Sequence, residues 1–212
     1  MRLQDMGDAD FAEKITSSKQ NEDILWELDS NTIHELSIVT EDDVTAFEDF
    51  QVRESDNLLW LGYFIGKCTS LTNLDIKNFP GDADRINEFL RGLNCNRSIQ
   101  ILTIENDRGV EMLEKLSTFF HNNENIYSLD LENFDIGYES AGKLASTLCD
   151  APLKHLGLCG NVLSNEGFET IVTAASGVHS QIESLRVGWN NVGQVGCTAL
   201  LRSGSLEQIE GP

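Results

Sequence analysis

A short phrase of aliphatic and polar positions recurs along the chain. The template L-x-x-L-x-L fits Ile33-Leu36-Ile38, Leu71-Leu74-Ile76, Ile99-Leu102-Ile104, Ile126-Leu129-Leu131, Leu153-Leu156-Leu158 and Ile182-Leu185-Val187, with a weaker seventh copy at Leu206 and Ile209. The steps between copies are 38, 28, 27, 27, 29 and 24 residues. Inside each copy the closing aliphatics alternate with other residues, the period of a strand with one buried face. Downstream the spacing turns helical: Phe89 and Leu93, Leu144 and Leu148, and Ile171 and Ala175 stand four apart. Between strand and helix, the glycine-bearing stretches GNVLSNEG (160–167) and NNVGQVG (190–196) read as turns. A strand and a helix at one fixed period predict an α/β solenoid, in which each coil buries its apolar face only against the next. A doubly wound sheet makes no such demand on spacing.

The stretches LKHLGLCGNVLSNEGFETI (153–171) and IESLRVGWNNVGQVGCTAL (182–200) carry the fullest version of the unit, with Asn161 and Asn190 after the strand and Gly167, Gly193 and Gly196 in the bend. In this they resemble leucine-rich repeats of the ribonuclease-inhibitor-like type. The resemblance implies a right-handed horseshoe solenoid with a parallel sheet on the concave side and helices on the convex side. It covers residues 31–209 as about six repeats plus a truncated last one, and leaves residues 1–30 as an acidic, partly flexible N-terminal tail. The aliphatic end of that tail, around EDILWEL (22–28), caps the first repeat. At the asparagine position the earlier units carry Phe79, Asp107 and Phe134 instead. A short asparagine ladder is therefore expected only between the units of Asn161 and Asn190, with phenylalanines filling the corner elsewhere. The 38-residue first step implies an insertion over residues 40–57, ahead of a helix.

Composition narrows the functions. The chain has 212 residues and a net charge of −20, from 15 basic and 35 acidic residues. Nucleic acid and anionic membrane, which need basic patches, are poor partners for it. A protein with a basic surface is compatible, although solubility alone accounts for much acidity. The acidic start lacks the apolar core of a secretory signal, and no apolar run is long enough to span a bilayer, so a cytoplasmic or nuclear address is expected. Five cysteines with no CxxC and no Cys/His metal spacing read as free thiols. Cys68, Cys95 and Cys149 each precede a strand by three or four residues and are expected to be small apolar fillers. No cofactor or metal is implied.

Residues lying between the core aliphatics should form an open strip across the strands, from His34, Glu35, Ser37 and Val39 in the first copy to Glu183, Ser184, Arg186 and Gly188 in the sixth. At about 4.8 Å per strand, six strands give a strip roughly 25 Å wide, enough for one flank of a protein interface. Its candidate protein-binding residues are Tyr127, Asp130, Glu132, Lys154, His155, Arg186 and Trp189, because Tyr, Arg and Trp are enriched at binding hot spots and the others set the charge around them. The competing structural reading packs Trp189 under the following loop and pairs Arg186 with Glu183 or a neighbouring acid. Catalysis is disfavoured. Four residues of strand hold His155 and Cys159 about 13 Å apart, too far for a base and its nucleophile. Asp130 and Glu132, about 6.6 Å apart, match the carboxylate spacing of some glycosidases but face an open strip with no pocket. No GxxxxGK[ST] or GxSxG stretch occurs.

The sequence thus points to a non-catalytic protein-binding module acting through the concave face. The alternatives are a regulatory adaptor, either for ubiquitin ligation or as a GTPase activator, and a truncated repeat fragment with no intact site.

Overall fold

The computed structural model describes residues 15–40, 49–53, 56–78, 83–105, 109–148, 151–177, 180–194, 196, 198 and 208–210. Phe79, Asp107, Cys149, Leu206 and the first 14 residues of the acidic tail lie outside the described residues. The chain divides between Ser98 and Ile99 into two compact units. Both alternate strands with helices, and every strand pairing within them is parallel.

The first unit opens with helix α1 (Lys19–Ser30), which covers the apolar end of the tail. The Ser18 hydroxyl accepts from the Asn21 N–H at its start, and Asn31 ends it in the left-handed conformation that asparagine tolerates. Ile24, Leu25 and Leu28 face inward. Strand β1 (Glu35–Thr40) pairs with β3 (Asn73–Lys77) in the register Leu36↔Leu74 and Ile38↔Ile76, so the template aliphatics stack as columns. The insertion contains more than a loop. It carries a strand, β2 (Phe50–Val52), which pairs with β1 on the side away from β3. Phe50 and Val52 bury completely, which explains an aromatic and a β-branched residue two apart in an acidic stretch. Val39, expected on the open strip, is fully buried instead.

An edge strand leaves backbone groups unpaired. Here α1 supplies the partners. The Asn21 carboxamide accepts from Gln51 N–H at 3.1 Å and donates to Gln51 C=O at 2.8 Å, as a neighbouring strand would. Gln20 Nε2 donates to Asp49 C=O at 2.7 Å. Asp56 joins the cluster: its Oδ2 accepts from Arg53 N–H at 3.0 Å and from Asn21 Nδ2 at 3.4 Å. The remaining helices of the unit, α2 (Leu58–Lys67) and α3 (Ala83–Leu93), touch backbone to backbone. A Cβ built on Gly62 or Gly66 would fall inside the α3 carbonyls of Phe89 or Gly92, and one on Gly92 inside the Gly62 backbone.

The second unit runs β4 (Ile101–Glu105), α4 (Gly109–Asn122), β5 (Ser128–Glu132), α5 (Tyr138–Leu148), β6 (His155–Gly157), α6 (Asn165–Ala175), β7 (Ser184–Arg186) and β8 (Gln208–Glu210). Its strands pair in chain order with Leu102, Leu129, Leu156, Leu185 and Ile209 in line, so the weak seventh copy does supply a strand. The described members of this column are almost wholly buried. Helix residues Leu116, Leu144, Phe168 and Ile171 bury with them.

Buried asparagines bind successive coils together. Asn161 Oδ1 accepts from Phe134 and Ile136 N–H, both at 3.0 Å, and its Nδ2 donates to Leu131 C=O at 2.9 Å and Leu158 C=O at 3.0 Å. Asn190 repeats this one coil later, accepting from Leu163 N–H at 3.1 Å and donating to Leu158 C=O at 2.7 Å. The ladder thus reaches one unit further than expected, because each asparagine serves the coil before it. Phe134 is buried in that corner. A second asparagine position, not anticipated, lies three residues ahead of two strand templates. Asn96 Nδ2 donates to Ile65 C=O at 2.7 Å within the first unit, and Asn123 Nδ2 donates to Ile99 C=O at 3.1 Å within the second. Of the cysteines proposed as fillers, Cys68 is buried but Cys95 is exposed, its thiol turned back to the Arg91 carbonyl, so the filler reading fails there.

Two outcomes are expected. Asn161→Ala takes the side-chain partner from three buried backbone groups, Phe134 N–H, Ile136 N–H and Leu131 C=O, each costing roughly 1–3 kcal/mol when unpaired, while Leu158 C=O keeps the Asn190 carboxamide. It should lower the denaturant midpoint more than Asn190→Ala, whose site is half-open. The second concerns Asp56, whose carboxyl burial pushes above the ordinary range, against the Arg53 and Thr16 hydrogen bonds and the Arg53 and Arg85 charges. The unfolded chain releases this proton near pH ~4. The folded chain keeps it to higher pH, so the group favours folding at acid pH and loses that contribution as pH rises through its raised pKa. Asp56→Asn should flatten this part of the stability–pH curve and leave the protein at least as stable as the parent at neutral pH, read by denaturation at stepped pH.

Candidate functional site

The alternation that buries the leucine column turns the intervening residues of β5, β6 and β7 to one open face. Register sets who meets whom: Ser128, His155 and Ser184 align, as do Asp130, Gly157 and Arg186. Gly157 is the gap in the second row. A Cβ there would fall inside the Asp130 carboxylate and lie 3.3 Å from Arg186 Nη2. Across that gap Arg186 Nη2 reaches Asp130 Oδ1 at 2.8 Å and Glu132 Oε1 at 3.3 Å. The Asp130 hydrogen bond holds the guanidinium pKa above its ordinary value.

One strand end away, Lys154 Nζ pairs with Glu183 Oε1 at 2.9 Å, which pulls the Glu183 carboxyl below its usual range. Tyr127 and His155 meet edge to face with ring centroids 6.0 Å apart. Arg186 therefore pairs with a neighbouring acid as the structural alternative anticipated, while Glu183 goes to Lys154. Six of the seven candidates thus form three local groups within the second unit.

His155 faces Tyr127, whereas Cys159 lies by Gly188, a Cβ on which would sit 3.7 Å from its sulfur. Burial pushes the Cys159 thiol up, against a Gly188 backbone hydrogen bond and the Arg186 charge. A raised pKa disfavours the thiolate that nucleophilic chemistry uses. Among the described residues, no group of three or more His, Cys, Asp and Glu stands as metal ligands would.

Trp189 is the seventh candidate and behaves differently. Among the described residues, the position two after the last template aliphatic (Ile76, Leu131, Leu158 and Val187) takes a left-handed backbone, at Asn78 (φ 46°), Asn133 (φ 55°), Gly160 (φ 68°) and Trp189 (φ 58°). Asparagine and glycine suit this conformation, and a bulky side chain does not. Trp189 is 88% exposed, so it does not pack under the following loop. Two further exposed apolar residues, Tyr138 (61%) and Val162 (45%), went unnoticed in the sequence. Val162 lies between β6 and α6, and Tyr138 is the first residue of α5; at both, an apolar residue outside the repeat's core positions is the only signal.

No protein-family model matches the chain, and no curated protein matches it. Among solved structures, it is similar to actin-binding site 2 of leiomodin-1, with 17% identity over 65% of this chain and 78% of that one and a TM-score of 0.48. It is also similar to a Bacteroides fragilis protein, with 12% identity over 94% of this chain and 68% of that one and a TM-score of 0.40.

Gly157→Ala should push the Asp130 carboxylate off Arg186 and lower stability by up to about 1 kcal/mol, the usual worth of a largely solvent-facing ion pair. A Gly157→Ala protein melting at the parent temperature would contradict the gap described here.

Proposed function

We propose that the chain is a non-catalytic protein-recognition module. In this reading each unit is built of right-handed coils of the leucine-rich-repeat kind, strands on the concave side, and a protein partner docks on the strand side of residues 99–212. Trp189 carries the reading. A left-handed backbone costs an ordinary residue roughly 1–2 kcal/mol, and a largely exposed side chain recovers little of that by burial. Strain of this kind collects at functional positions, and tryptophan is among the residue types enriched at binding hot spots. Beside it, the groups around Arg186, Lys154 and Tyr127 offer a polar face whose cations are already paired locally. That suits the rim of an interface better than acid–base chemistry.

Trp189→Gly relieves the backbone and removes no buried contact, so its denaturant midpoint should equal or exceed that of the parent. In affinity purification, the Tyr127→Ala/Arg186→Ala and Trp189→Ala proteins should each retain about tenfold less of any partner the parent recovers. Partner recovery unchanged in both proteins would sink the reading.

A further inference from the structure

Three of the six large apolar side chains that are exposed among the described residues fall in consecutive strand-to-helix segments of the second unit, or at the helix start that ends one: Tyr138, Val162 and Trp189. The asparagine ladder fixes these segments against one another. Asn190 accepts from Leu163 N–H at 3.1 Å, next to Val162, and Asn161 accepts from Ile136 N–H at 3.0 Å, two residues from Tyr138. A Cβ on Gly137 would lie 3.8 Å from a Val162 methyl, so those two segments touch. Successive coils are about 4.8 Å apart, close enough for such side chains to be covered by one partner segment.

The charge beside this edge has one sign. The segments 133–139, 160–166 and 189–194 contain Asp135, Glu139 and Glu166 and no Lys, Arg or His. Helix starts usually attract anions. Here Glu166 already occupies the α6 start, its carboxyl held below the usual range by its own backbone N–H and by Ser164. Glu139 stands in the first turn of α5. An anionic ligand would meet carboxylates at both places.

We propose that this loop edge, more than the sheet face, anchors the partner, and that the partner presents a polypeptide segment combining aromatic or aliphatic side chains with Lys or Arg. The inference rests on the protein-recognition reading above and adds the place and the chemistry. The apolar side chains cover Tyr138, Val162 and Trp189, an Arg or Lys stacks on the Trp189 ring, and further cations meet Asp135, Glu139 and Glu166.

The test uses the full chain and a labelled peptide alternating Lys with Phe and Leu, followed by fluorescence anisotropy. Saturable binding below about 1 mM is expected. The Trp189→Ser/Val162→Ser and Asp135→Asn/Glu139→Lys proteins should each bind about tenfold more weakly or worse, asparagine being a residue that the left-handed backbone of Asp135 tolerates. Trp189→Phe should restore part of the loss. Circular dichroism melts should show the loop variants folded, since Trp189, Val162, Asp135 and Glu139 are exposed. A peptide with Glu for Lys, or with Ser for Phe and Leu, should not bind. No saturable binding of the basic peptide overturns the proposal. Equal binding by the parent and both loop variants also overturns it, since attraction to the net charge would then suffice. Loss in the Tyr127→Ala/Arg186→Ala protein with none in the loop variants overturns the loop anchor and leaves protein recognition standing.

Discussion

A chain that passes from strand to helix and back must turn, and the turns described here leave backbone N–H and C=O groups that no strand or helix pairs. Leaving them unpaired in the interior is expensive. The buried asparagine carboxamide meets that constraint, with two donors and an acceptor on one short side chain. Asn161 shows how: its acceptor serves the turn before it, and its donors bridge a carbonyl of that turn and one of its own. The coils of the second unit are therefore fixed to one another by directional bonds as well as by the leucine column. Asn21 applies the same chemistry in the first unit, standing in for a strand along the edge of β2.

Fixed coils have consequences for the open face. Once register places Asp130, Gly157 and Arg186 side by side, the missing side chain of Gly157 decides that the outer two can pair across it. The ion pairs and the Tyr127–His155 contact then satisfy much of the face internally. The large apolar side chains exposed among the described residues of the second unit, Tyr138, Val162 and Trp189, lie off this face, between strand and helix or at the helix start. The left-handed position beyond the strand, filled by Asn78, Asn133 and Gly160 in other described coils, is occupied at Trp189 by a side chain that the fold does not bury.

The repeat could be read from the sequence because burial in a coil imposes a period. Leu102, Leu129, Leu156 and Leu185 had to recur for any coil to close on its neighbour, and Asn161 and Asn190 announced the turns. The strand and helix order, the parallel pairing implied by it, and the face on which Tyr127, Asp130 and Arg186 stand followed from that periodicity. The amino-acid order left open the contacts set by distance across coils: the β2 strand inside an acidic insertion, the burial of Val39, Cys95 left outside, and the choice of Asp130 and Glu132 over Glu183 as partners of Arg186. It equally left open whether Trp189 would be covered. Periodicity fixes which face a residue is on. How much of that face is filled depends on neighbours about 28 residues away, whose positions are settled only when the coils stack.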